Sequence, residues 1–342
     1  MDTQTALQAI QEQPLAPVYL VLGTESFLID KIKAAFFSRL QLQKDDLDFV
    51  FFDMEEDLVN VAVAEAEALP LFSAEDKRLI FVENSYFLTA EKKTNAPEHD
   101  FADLLNYLEH PSDTAIMVFF APYEKLDERK KITKVLKKAS VLIDTQPLGE
   151  KDAEVYIKRS VEASGLEMDR QTLALFVQLT DLDLTKAMNE LQKLRIYAGD
   201  QGKITEKDLL ALIPKSLDHN LFDLTDHLLQ GRTEQALRLY QDLLLQGEET
   251  IKLNAVLISQ LRLYLQTQIL MKLGYQQSNI AKTLGVHPYR VKLAMQRVRK
   301  FSPQRLQHLY DRLIENDYLV KTGQMDKELL FELTVLEAAG QF

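Results

Sequence analysis

VYLVLGTESFLIDK, running from Val18 to Lys31, is the stretch on which the fold turns. Val18 to Leu22 is an unbroken apolar run, rich in β-branched and aromatic types and too short for a buried helix, so it reads as a strand. Gly23 follows, and from Glu25 to Leu40 the residues Phe27, Leu28, Ile32, Ala35, Phe36 and Leu40 recur at helical spacing. Further apolar runs have the same character: FVFF (Phe49 to Phe52), RLIFV (Arg78 to Val82), AIMVFFA (Ala115 to Ala121) and VLID (Val141 to Asp144). Runs that stay apolar without alternation belong to strands buried on both faces, and helical stretches such as the alanine-rich Leu58 to Leu69 separate them. Residues 1–147 therefore read as a doubly wound α/β domain with a parallel sheet.

A strand ending in glycine ahead of a helix is where a phosphate-binding loop would sit. Such a loop needs G-x-x-x-x-G-K-[ST]: backbone amides cradle the phosphates, the lysine reaches the outer phosphates and the hydroxyl holds magnesium. The stretch from Gly23 to Lys31 lacks the second glycine and the adjacent Lys-Ser/Thr pair, while Glu25 and Asp30 repel phosphate. The third strand ends on Glu83-Asn84, a single acid where an ATPase often carries two. Gly23, Thr24 and Glu25 thus form a degenerate, non-functional P-loop, with no cofactor and no catalytic residue expected. G-x-S-x-G and H-E-x-x-H are absent, and the six scattered histidines offer no convergent set of metal ligands.

After Pro147 the strand signal stops. Short helices are expected at Lys151–Ser164, Asp169–Thr180, Leu184–Tyr197 and Glu206–Leu212, a small helical domain over residues 148–214. Longer ones follow at Leu221–Gln230, Thr233–Leu245, Lys252–Leu273, a pair near Gln277–Lys300, Ser302–Val320 and Lys327–Ala339, a bundle over residues 215–342.

The absence of cysteine removes disulfides, cysteine-ligated zinc, iron–sulfur clusters and thiol nucleophiles together. Met1 to Gln13 has no signal-peptide layout and no apolar run approaches the ~18–20 residues a membrane span needs, so a soluble, intracellular chain is expected. The net charge of −12 argues against indiscriminate coating of nucleic acid. Yet Thr250 to Tyr310 holds ten Lys or Arg and no Asp or Glu, which points this region toward an acidic partner, nucleic acid or protein. Within it, Ala281 to Arg290 has the outline of a helix-turn-helix, and the next helix carries Arg290, Lys292, Arg297, Arg299 and Lys300. A DNA-binding regulator is therefore one alternative, although Val291, Leu293, Ala294 and Val298 claim much of that helix for packing. A genuine ATPase is the other.

Several stretches together resemble the delta subunit family of bacterial DNA polymerase III clamp loaders. They are Val18 to Lys31, ALPLFSAEDKRLIFVEN (Ala68 to Asn84), DLDLTKAMNELQKLRIYAG (Asp181 to Gly199), LFDLTDHLLQG (Leu221 to Gly231), IAKTLGVHPYRVKLAMQ (Ile280 to Gln296) and DYLVKTG (Asp317 to Gly323). The resemblance covers essentially the whole chain in order. It implies an AAA+-like module with a degenerate P-loop, then a helical lid and a helical collar. It also implies the beta sliding clamp, the gamma/tau and delta-prime subunits and primed DNA as partners, no membrane, and a cytoplasmic place in the nucleoid-associated replisome. The four-cysteine zinc module of the related motor and stator subunits is missing.

Leu71 and Phe72 follow Pro70, which ends the preceding helix. On residues alone they have two readings: a pair folded back onto the sheet, or an exposed plug for a partner's pocket. The resemblance assigns this position to clamp binding, with Lys77 and Arg78 as candidate contacts to an acidic clamp rim.

Overall fold

The computed structural model describes residues 1–68, 77–91, 93–199, 202–215 and 217–340. The chain divides into two compact units, Met1–Gly149 and Glu150–Phe342.

In the first unit the strands are β1 (Val18–Leu22), β2 (Phe49–Asp53), β3 (Arg78–Glu83), β4 (Ala115–Ala121) and β5 (Val141–Asp144). All pair in parallel, in the order β2-β3-β4-β1-β5. Helices α1 (Thr3–Glu12), α2 (Ser26–Leu40), α3 (Val59–Glu67), α4 (Ala102–Glu109) and α5 (Lys131–Ala139) cover it. Period-two geometry sends Tyr19, Val21, Leu79, Phe81, Ile116, Val118 and Phe120 to one face, packed with α1 and α2. Val18, Leu20, Ile80, Val82, Met117 and Phe119 go to the other, under α3, α4 and α5. Both faces of β1, β3 and β4 are buried, which is why those runs are apolar without alternation; the edge strand β2 leaves Phe51 exposed.

Each sheet edge is blunted. On β2 the Phe49 amide donates to the Asp46 carbonyl at 3.1 Å and the Asp53 amide to the Asp57 carboxylate at 2.9 Å. On β5 the Asp144 amide donates to the Met1 carbonyl at 2.9 Å, and the Thr3 hydroxyl to the Asp144 carbonyl at 2.7 Å. Beside the sheet, His99 sits among Tyr86, Phe87 and Phe101. Its Nδ1 accepts from the Val59 amide at 3.4 Å, which places the proton on Nε2, 3.2 Å from the Met54 carbonyl. Burial lowers its pKa below 6.5, partly offset by that carbonyl.

The second unit is built of helices among the described residues, with one isolated parallel bridge between Glu167 and Lys203: α6 (Glu150–Ala163), α7 (Arg170–Leu179), α8 (Leu184–Ala198), α9 (Glu206–Leu212), α10 (Leu217–Leu229), α11 (Thr233–Leu245), α12 (Thr250–Lys272), α13 (Gln277–Leu284), α14 (Pro288–Val298), α15 (Pro303–Lys321) and α16 (Lys327–Gly340). The starts follow local chemistry. Asp169, Asp183 and Ser302 accept backbone amides of α7, α8 and α15, and Thr205 with Asp208 closes a capping box on α9. The core lies around α12, whose Leu253, Leu257, Leu261 and Tyr264 meet residues of α10, α11, α14, α15 and α16. Among the described residues no helix is long and apolar enough to cross a membrane.

Candidate functional site

Residue by residue, the glycine loop at the end of β1 is closed by backbone. Gly23 has φ +148°, and a Cβ there would lie 2.1 Å from the Thr145 carbonyl carbon and 2.3 Å from the Gln146 nitrogen. The chain leaving β5 thus passes over Gly23 at a distance only glycine allows. The Gly23 amide donates to the Ala121 carbonyl at 3.2 Å, and the Glu25 amide to the Thr145 carbonyl at 3.0 Å. The Gly23 and Glu25 amides are thus spent on the chain itself. Thr24 is exposed, and Glu25 occupies the N-cap position of α2, which sets an acidic residue beside the loop.

At the ends of the neighbouring strands, Glu83 forms a 2.6 Å ion pair with Lys33 of α2, whose ammonium also lies 4.8 Å from the Phe120 ring centre. Asn84, at φ +50°, donates its side-chain amide to both Asp53 carboxylate oxygens at 3.0 Å. The acid that a nucleotide-bound metal would need is held by a lysine instead. No three His, Asp or Glu side chains converge as metal ligands among the described residues.

Leu71 and Phe72 lie in the connection from α3 to β3, outside the described residues. The two cations after them part company. Lys77 is half-buried and lines an open groove with Arg39, Asp46 and Asp48. Arg78 is only 6% exposed, and its guanidinium pairs with the Glu65 carboxylate and donates to the Glu65 carbonyl at 3.3 Å. Its candidacy as a rim contact is corrected: a guanidinium buried on an acid of α3 holds α3 against β3 and does not reach a partner.

The basic tract is likewise answered from within. Gly285, at φ +64°, turns α13 into α14, and Pro288 opens α14. Val291, Ala294 and Val298 of α14 are buried. Lys292 pairs with Glu150 of α6, which also accepts from Gln277 at 3.1 Å. Burial raises the Glu150 pKa, but Lys292 and Gln277 outweigh it and the net shift is downward. Arg297 reaches Asp226 of α10 at 3.0 Å and lies 4.9 Å from the Phe222 ring centre, with both charged side chains less than a fifth exposed. Burial pushes the Asp226 carboxyl up, and Arg297 works against that shift. Arg297 is therefore corrected from an outward contact to an internal ion pair; Lys292 is paired with Glu150 yet keeps its side chain 38% exposed, and Arg290, Arg299 and Lys300 are exposed. Lys252 is held by Glu248 at 2.7 Å. All three acids lie outside the acid-free tract; Glu248 precedes Lys252 by four residues, a spacing visible in sequence, whereas Glu150 and Asp226 carry no sequence signal for the role.

The comparisons with known proteins agree with this architecture. Residues 19–146 match the family model described as DNA polymerase III, delta subunit, and residues 218–338 match the one for its C-terminal domain. The chain is 36% identical over 331 residues to DNA polymerase III subunit delta of Bacillus subtilis (strain 168), covering 96% of this chain and 95% of that one. The solved structure titled Bacillus subtilis DNA clamp loader delta protein (YqeN) superposes with a TM-score of 0.73 at 35% identity, over 99% of each chain. A parallel α/β module with a closed glycine loop, followed by helices, is thus seen in a chain that belongs to the delta subunit family of DNA polymerase III.

Proposed function

We propose that this chain binds a ring-shaped sliding clamp and biases one of its subunit interfaces open, as part of a loader with gamma/tau and delta-prime subunits acting on primed DNA, without hydrolysing nucleotide itself. The observation that carries the reading is the glycine loop: the frame of a nucleotide site persists, while its amides are tied to Ala121 and Thr145. A protein built this way acts through what it binds. A ligand that prefers the open form of an interface shifts that equilibrium with no chemistry of its own.

Leu71 and Phe72 are the proposed anchors. Burying both in a clamp pocket supplies roughly 3–6 kcal/mol gross, at ~1.5–3 per side chain. Lys77 remains a candidate for the acidic rim, and Arg290, Arg299 and Lys300 for DNA or a neighbouring subunit. Co-purification with a sliding clamp tests the reading. The Leu71→Ala/Phe72→Ala variant is expected to lose capture while keeping its fold; unchanged capture sinks the assignment. Nucleotide binding by the isolated chain would overturn its second half.

A further inference from the structure

We propose that Glu65 and Arg78 act together as positioning residues for the clamp contact, a clasp that fixes both stems of the connection carrying Leu71 and Phe72. Glu65 lies in the last turn of α3, and Arg78 is the first residue of β3. The Arg78 guanidinium reaches back across the connection to the Glu65 carboxylate and, at 3.3 Å, to the Glu65 carbonyl. That carbonyl is among the last four of the helix, which find no partner within it, and a cation at this end also suits the helix dipole. On the strand side the Arg78 amide donates to the Thr114 carbonyl at 2.9 Å. Both stems are therefore held by the fold before any partner arrives.

Stability alone is a poor account of the pair. Arg78 is 6% exposed, and the four residues after it, Leu79, Ile80, Phe81 and Val82, are apolar and buried. Its Nε is buried with no acceptor among the described residues. Taking a guanidinium out of water is costly, and an apolar side chain of similar volume often serves a buried position as well or better. What such a side chain lacks is direction. Apolar contact is non-directional, whereas a guanidinium shared between a carboxylate and a carbonyl holds one arrangement.

The clasp bears on recognition through the free protein. Apolar anchors enter a pocket only from arrangements that present them, and apparent affinity falls with the fraction of molecules in such an arrangement. Bringing the ends of a loop together costs free energy at binding unless the fold has already done so. Here the closure between residues 65 and 78, thirteen positions apart, is made in advance. This role rests on the clamp-binding role proposed for Leu71 and Phe72, and adds to it two residues that act without touching the clamp.

Association and dissociation rates of the full chain on its immobilised sliding clamp provide the test. The variant Glu65→Leu/Arg78→Met removes both charges and leaves neither buried alone. Its association rate is expected to fall by about tenfold with dissociation within about twofold of wild type, because the competent fraction changes and the bound contacts do not. Glu65→Gln, which keeps an oxygen opposite Arg78 without the charge, should show a smaller loss of the same kind. As a control, Arg297→Met/Asp226→Leu removes a buried pair of the second unit and should leave both rates unchanged. Thermal melting establishes that each variant is folded. Unchanged association in the first variant overturns the inference and leaves clamp binding by Leu71 and Phe72 standing. Faster dissociation with association unchanged also overturns it, since Glu65 or Arg78 would then be a direct contact. No binding by the wild-type chain overturns both.

Discussion

The glycine loop of the α/β unit and the basic hairpin of the helical unit each keep the frame of a familiar binding site; the first is closed from within, while in the second internal acids engage Lys292 and Arg297 and leave Arg290, Arg299 and Lys300 exposed. In the loop the closure is backbone, through Gly23 on Ala121 and Glu25 on Thr145. In the hairpin it is side chain, through Glu150 on Lys292 and Asp226 on Arg297. Backbone closure outlasts almost any substitution around it, whereas side-chain closure is undone by a single one. A motif's outline in sequence therefore reports geometry, and says little about whether the groups in it are available.

The strongest way to break this comparison is Gly23→Ala. A methyl 2.1 Å from backbone at φ +148° has nowhere to go. The expected loss is about 4 kcal/mol, from ~1–3 of strain and ~1–3 of overpacking. A loss under about 1 kcal/mol in chemical denaturation would mean that the loop is open. Next comes Arg297→Met, which leaves the Asp226 carboxylate buried alone and should cost about 3 kcal/mol. The double variant Arg297→Met/Asp226→Leu should recover most of that, and a neutral single variant would show that the hairpin is not closed by this pair. Gly285→Ala sharpens the contrast between two glycines. Nothing lies within 4 Å of the added methyl, so only the φ of +64° is strained. The cost should be about 1 kcal/mol.

The smallest effect concerns pH. Burial holds the His99 pKa below its usual 6.5, so the neutral ring's contribution to stability is complete above that value. It is lost as pH falls through the lowered folded value. The melting temperature should drop between pH 7.5 and 5.5, and less so in His99→Gln. His219 and His227 are shifted in the same direction by burial, so some dependence survives in the variant. An identical pH profile in the variant would remove His99 from the account.

Much of the fold is legible in sequence because burial on both faces writes continuous apolar runs for β1, β3 and β4, and the edge strands β2 and β5 are apolar runs as well although they are only partly buried. The helices α1, α4 and α5 are not legible. Each is short, and α1 commits only Thr3, Ala6 and Ile10 to the core, too few to establish a period. The candidate site is less legible still, for a different reason. Arg78 and Arg297 read as surface cations because their acids lie 13 and 71 positions away in the chain, at Glu65 and Asp226. Pairing at that distance is decided by packing, and charge in sequence carries no sign of it.

The blunted edges of the sheet have a consequence for life in company. An unguarded edge recruits a strand from whatever chain is near, and repetition of that event leads to polymers that do not come apart. On β2 the anchors at Asp46 and Asp57 leave a free stretch centred on Phe51, shorter than the five or six residues of an ordinary strand. On β5 the edge is taken by Met1 and Thr3. A module so finished can stand beside others of its own architecture without fusing to them. Its associations are left to side chains, and contacts of that kind can be released once their work is done.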